Sequence, residues 1–263
     1  MDGIKTDARP TGSGPLFPVS GQIISISVRD WAQLRSEILH AWGEGRGFAL
    51  ATLNLDHLQQ MRCDPVFAAA YARHDMVVAD GRPIVSLARL SGQAVGLMPG
   101  SDLVVPLAQL AAERRQRVAL VGSTPQALAA AARVLMAHAP ELEIALVCAP
   151  SQGFDPDGDE AARILADLRE RRIGLAFLAL GAPRQERLAA RGRELAPGVG
   201  FASIGAGLDF LGGHQRRAPV LMRSLALEWL WRAALNPRRL VPRYLRCAAI
   251  LPGQIMAAWQ RRA

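Results

Sequence analysis

Apolar and polar positions alternate along this chain in two rhythms. Short, mostly apolar runs recur: IISISV at 23–28, FALATLNL at 48–55, MVVADG at 76–81, RVALVG at 117–122, LEIALVCAP at 142–150, IGLAFLALG at 173–181 and the first part of GVGFASIGAGLDFLGG at 198–213. They read as strands, and the longer ones carry almost no polar position, as expected of strands covered on both faces. Between them lie segments with apolar residues at helical spacing. WAQLRSEILHAW follows a capping Asp30, and DHLQQMRCDPVFAAAYARH divides at Pro65. IVSLARL starts behind Pro83, and the loop MPGSDL (98–103) leads into LVVPLAQLAAERR. QALAAAARVLMAHA follows Ser123, Thr124 and Pro125, EAARILADLRERR follows Asp159, and RQERLAARGREL follows Gly181-Ala182-Pro183. Caps and prolines at these positions are helix starts. Strands alternating with helices predict an α/β fold, with a mostly parallel sheet, helices on both faces and a Rossmann-like nucleotide-binding unit beginning at 117–122.

The same pattern sets the boundaries. Residues 1–20 carry Pro, Gly and charges without an apolar stretch, and read as a flexible lead, not a signal peptide. Residues 21–213 form the α/β body, and Leu211-Gly212-Gly213 closes it. Residues 214–263 form an appendage of different character. Its apolar arc, Leu221, Leu225 and Trp229 beside Met222, Ala226 and Leu230, is wider than a surface helix needs. That arc must face the body, a partner subunit or lipid, so a homo-oligomer stays open.

Charge sharpens that division. From His214 to Ala263 there are ten Arg against one acid, Glu228, a net of +9, whereas residues 1–213 sum to −1. Three of the five Trp lie in the same tail, at 229, 231 and 259. A near-neutral body with an Arg- and Trp-rich appendage points to work at an anionic membrane surface. The most apolar run, from Val220, is interrupted by Arg223, Glu228 and Arg232, so it would lie on a membrane and not span it. Nucleic acid is disfavoured by the slightly acidic body and the absence of a binding motif. Cys63, Cys148 and Cys247 are odd in number and scattered, which fits a cytosolic setting. The histidines show no ligand spacing, and neither a metal nor a cofactor is expected.

Candidate chemistry gathers at predicted strand ends, where open α/β sheets bind their ligands. Asp80 ends an apolar strand and is placed as a general base would be, though from pattern alone an Asp-Gly turn or a cap for the helix at Pro83 is the stronger reading. Thr52 and Asn54 end another strand and could bond sugar hydroxyls or simply cap a helix. The turns holding Gly122 and Ser123, and Gly205 and Gly207, could present backbone N–H groups to phosphate or be plain βα turns. Glu186 suits a helix dipole whatever the function, whereas Gln185 has less local reason for its place. Arg238, Arg239, Arg243 and Arg246 form a cluster that suits a diphosphate or a solvated basic face.

Together these pieces resemble one family. Thr-Leu-Asn (52–54), Ala-Asp-Gly (79–81), Pro-Gly-Ser-Asp-Leu (99–103), Leu-Val-Gly-Ser (120–123), Leu-Gly-Ala-Pro-Arg-Gln-Glu (180–186), Ile-Gly-Ala-Gly-Leu-Asp-Phe-Leu-Gly-Gly (204–213), Arg-Ala-Pro (217–219) and the Leu-Glu-Trp-Leu-Trp-Arg, Asn-Pro-Arg-Arg and Arg-Tyr elements (227–244) occur in the order of the WecG/TagA/CpsF glycosyltransferases, glycosyltransferase family 26. The resemblance implies an inverting, metal-independent transferase. It would move N-acetylmannosamine or a related mannose-type sugar from a nucleotide-sugar, most commonly a UDP-sugar, to a sugar on a polyprenyl diphosphate. The setting it implies is the cytoplasmic face of the plasma membrane, in teichoic acid, common-antigen or exopolysaccharide assembly. By the same resemblance Asp80 is the base, Thr52, Asn54 and Gln185 match pocket positions, and Arg217, Arg232, Arg238 and Arg243 match appendage motifs brought over the donor diphosphate. One position departs: many relatives carry an Arg three residues before the loop glycine, where this chain has Leu97. That leaves a GDP-mannose-type donor open, and also a non-catalytic scaffold at the membrane.

Overall fold

Six residues in a row, Phe48 to Leu53, are buried, so this strand has no solvent face and must be covered on both sides. The computed structural model, which describes residues 14–213 and 236–262, accounts for it. A hairpin of β1 (Leu16–Val19) and β2 (Gln22–Ser25) precedes α1 (Trp31–Gly43), whose cap Asp30 accepts from Gln33 N. There follow β3 (Phe48–Leu53), α2 (Leu55–Cys63), α3 (Pro65–Ala72), β4 (Met76–Ala79), α4 (Arg82–Leu90) and α5 (Gly100–Glu113). The second half holds β5 (Val118–Gly122), α6 (Pro125–His138), β6 (Ile144–Cys148), α7 (Asp159–Glu170), β7 (Leu175–Ala179), α8 (Arg184–Leu195), β8 (Gly200–Ser203) and α9 (Gly207–Leu211). A last helix, here α10, spans Pro237–Gln260.

Strands β3 to β8 form one parallel sheet in the order β4-β3-β8-β7-β5-β6. The predicted α/β class and parallel sheet are what the structure has. Alternate strand residues feed cores on opposite faces: Leu50, Leu120, Phe177 and Ala202 pack with α1, α5, α6 and α9. On the other face Ala51, Leu53, Val77 and Ala79 pack with the hairpin, α2, α3, α4 and two residues of α10, while Val121, Leu178 and Phe201 pack with α7 and α8. Neighbouring β3 and β8 therefore send their following helices, α2 and α9, to opposite faces. The gap this opens beyond their carboxyl ends is where ligands bind in such sheets.

Two expectations change. Leu16–Val19, read as part of the lead, is a strand, and residues 23–28 do not join the main sheet: only Gln22–Ser25 pair, antiparallel to β1. Next to β4, Ser27 Oγ instead accepts from Val77 N at 2.9 Å, and Val28 N donates to Val77 O at 3.2 Å. This segment lines the outer edge of the sheet. At the opposite edge β6 carries a bulge at Ala145, whose carbonyl accepts from Arg171 Nη1 at 3.3 Å.

Candidate active site

The carboxyl ends of β3, β4 and β8 assemble the site from short-range rules. Asp80 follows β4, and its N–H donates to Leu53 O at 2.7 Å, so the ladder extends one residue past the strand and fixes its backbone. Gly81 then turns the chain with φ +106°, a conformation that favours glycine, and Pro83 opens α4. On β3, Thr52 is buried and its hydroxyl donates to Ser203 O at 3.3 Å, tying β3 to β8. Asn54 caps α2: its Oδ1 accepts from His57 N at 3.0 Å, which turns its Nδ2 toward Asp80 Oδ2, 3.5 Å away. The loop before α5 closes across β4 through Met98 N to Ala79 O at 2.8 Å. A Cβ on Gly100 would sit 2.7 Å from Ile204 O, so only glycine lets α5 start against the end of β8.

The first turn of α8 adds a buried pair. Gln185 Oε1 accepts from Gly205 N at 3.2 Å, and Gln185 Nε2 donates to Glu186 Oε1 at 2.8 Å. Both side chains are sealed from solvent, at 1% and 0% exposure. Among the described residues Glu186 Oε2 has no hydrogen-bond partner. Burial pushes this carboxyl up to about 7, against the opposing pull of the Gln185 amide. Behind Asn54 lie His57 and Tyr71, with Nδ1 and the phenol oxygen 3.4 Å apart. Burial holds the His57 imidazole down to about 4, so it is neutral at ordinary pH. Burial, then the nearby Glu186 and Asp80 carboxylates, keep the Tyr71 proton on.

Helix starts give the edge its sign. Helices α1, α2, α3 and α6 are capped by the side chains of Asp30, Asn54, Asp64 and Thr124. Among the described residues no N-cap side chain bonds the start of α4, α5 or α8, which begin around the Asp80 and Gly205 turns. The positive end of a helix suits an anionic ligand.

The family model described as Glycosyl transferase WecG/TagA/CpsF family matches residues 22–263, nearly the whole chain. The chain belongs to this family. It is therefore a glycosyltransferase of cell-surface polysaccharide synthesis, and membership implies a nucleotide-sugar donor and a lipid-linked acceptor. Among the described residues no helix is long and apolar enough to cross a membrane.

Within this glycosyltransferase the residues anticipated from sequence divide into groups. Asp80, Asn54, Thr52, Gln185 and Gly205 come together at one end of the sheet. Gly207 supports them from below: a Cβ there would lie 2.8 Å from Val104 Cγ2, so it lets α9 approach α5. Gly122 and Ser123 lie two strands further along, and their polar groups are engaged internally. Ser123 N donates to Ala179 O at 3.0 Å, its hydroxyl bonds Asp209, and a Cβ on Gly122 would meet Ala179 at 2.5 Å. Arg217 and Arg232 lie outside the described residues. Arg238 is exposed on the first turn of α10. Arg243 faces the body, with Nε 2.9 Å from Asp56 Oδ1, an ion pair by distance although its N–H is not aimed at the oxygen. Cys247 Sγ donates to the same carboxylate at 3.8 Å. Leu97 is 43% exposed in the loop before α5.

The sequence does not single out His57 or Tyr71, and it gives Glu186 only a helix-dipole reason. Asn54-x-x-His57 is a cap and its third helical residue, which hides the histidine among local signals. A polar residue on the apolar side of α2, beside Leu58 and Met61, was the available clue.

Proposed function

We propose that this chain transfers N-acetylmannosamine or a related mannose-type sugar, with inversion and without a metal, from a nucleotide-sugar to a polyprenyl-diphosphate-linked acceptor. The observation that carries the reading is the placement of Asp80: a partly buried carboxylate, fixed by the β3 ladder and faced by the Asn54 amide, at a switch point ringed by helix starts. Asp80 takes the proton of the acceptor hydroxyl as its oxygen attacks the anomeric carbon. The bond to the diphosphate breaks on the opposite side, and the nucleoside diphosphate leaves with the electron pair. A positioned base contributes about 10²–10⁴-fold to such a step. The leaving diphosphate needs fixed positive charge, which helix starts and appendage arginines would supply. The exposed stripe of α10, Val241, Leu245, Ile255, Met256 and Trp259, with the exposed Arg238, Arg246 and Arg262 on the same helix and just past its end, supports peripheral attachment to an anionic membrane at its cytoplasmic face.

The test is donor-dependent transfer. Purified protein is given a short-chain polyprenyl-diphosphate N-acetylglucosamine acceptor and EDTA, with UDP-N-acetylmannosamine and GDP-mannose in separate reactions. Product from the UDP-sugar is expected. Product from GDP-mannose alone would assign the exposed Leu97 loop to a mannosyl donor, and failure of both donors to react would overturn the reading.

A further inference from the structure

The cap on α2 fixes more than a helix end. With Asn54 Oδ1 committed to His57 N at 3.0 Å, its NH₂ group faces two atoms: Asp80 Oδ2 at 3.5 Å and His57 Nε2 at 3.4 Å. Flipping the amide would set its oxygen against a carboxylate and its NH₂ against a backbone N–H, two repulsions in place of two attractions. With the amide so oriented, His57 Nε2 must be an acceptor, because an N–H there would oppose the NH₂. The imidazole proton then belongs on Nδ1, where it points at the Tyr71 oxygen 3.4 Å away. Tyr71 is fully buried and braced by edge contacts with the His57 and Phe67 rings, at 5.8 and 5.6 Å between centroids.

We propose that His57, backed by Tyr71, is a positioning residue for the glycosyl transfer: as the Nδ1–H tautomer it holds the second hydrogen of the Asn54 amide, and so keeps the first on Asp80 Oδ2. This rests on Asp80 being the base. The contacts run Tyr71 ← His57 ← Asn54 → Asp80, each arrow following the proton from its donor. Burial supports it by keeping His57 uncharged, with a value of about 4. A charged ring would carry a proton on both nitrogens and could not accept from Asn54. The competing tautomer carries the proton on Nε2, and the Thr52 carbonyl, which also lies near the ring, is a further acceptor for a ring N–H. That arrangement would turn the Asn54 amide away from Asp80.

The tautomer and the rate test this separately. Full-length protein labelled with ¹⁵N-histidine, with the His57 signals assigned by their loss in His57→Gln, should show a protonated Nδ1 and an acceptor-type Nε2. His57→Leu should lower kcat about tenfold, the scale of one hydrogen bond, with KM for the donor within about twofold of wild type. His57→Gln can accept from Asn54 and donate to Tyr71, and should regain most of kcat. A protonated Nε2, or wild-type kcat in a folded His57→Leu, would overturn the proposal and leave Asp80 as base untouched. Loss of activity in His57→Leu that Gln does not restore would also overturn it, as a packing effect. Retained turnover in Asp80→Asn would overturn the base assignment itself, and the proposal with it, whatever the tautomer.

Discussion

Asp80 is asked to do one thing, to take a proton, and asparagine preserves its shape while removing that ability. Asp80→Asn should therefore reduce transfer by about 10²–10⁴-fold, with an unchanged melting temperature as the control for folding. Glu186 poses a different question at the same scale. Its carboxyl is raised to about 7 from an ordinary 4.5, so the folded chain holds the proton more tightly than the unfolded one. Its favourable contribution is complete below pH 4.5 and is lost as pH rises to about 7. Glu186→Gln keeps an oxygen for the Gln185 amide and cannot ionise. The melting temperature of the variant relative to wild type should therefore climb between pH 5 and 8, by about 2–4 °C per kcal/mol at this chain size. His57 and His74, both held down to about 4 by burial, act with the opposite sign: their contribution is full above 6.5 and lost as pH falls toward 4. Nothing in the sequence separates Glu186 from an ordinary first-turn acid. A helix-dipole preference and a sealed carboxyl leave the same letter at the same position, and only the neighbouring Gln185, with no such local reason to be there, hinted at more.

At the scale of elements, close approach between strands sets the tolerances. Gly122 combines φ +117° with a Cβ position 2.5 Å from the Ala179 carbonyl, so Gly122→Ala must strain β5 or push it off β7. A cost of about 2–3 kcal/mol is expected, seen as a lower denaturant midpoint with little change in slope. Most elements were legible because long apolar runs and Pro or Asp starts are local signals: α6 behind Thr124-Pro125 and α7 from Asp159 begin where the sequence places them. Strand β1 was not, because LFPV contains a proline and only four residues, and its partner β2 makes it a strand by pairing. The start of α5 at Gly100, earlier than its apolar pattern suggests, has the same kind of cause: it is set by the contact with Ile204 across the sheet end.

At the scale of the whole molecule, α10 has two faces with separate jobs. Cys247, Ile250, Gln254 and Ala258 are buried, while Leu245, Ile255 and Trp259 are 66%, 47% and 63% exposed. Replacing those three with Ser should weaken flotation with anionic vesicles by at least about tenfold, since each side chain loses a buried contact with lipid. The melting temperature should hold, because the side against the body is untouched. An unchanged flotation would assign that stripe to a protein partner. A protein gathered on a surface meets copies of itself far more often than one in free solution, and exposed strand edges are then a hazard. Here Ser27 and Val28 occupy the β4 side, and the Ala145 bulge with Arg171 breaks the flat row on β6. For backbone pairing the main sheet is thus interrupted at both edges, and copies gathered on a membrane as proposed would lie side by side without joining these sheets.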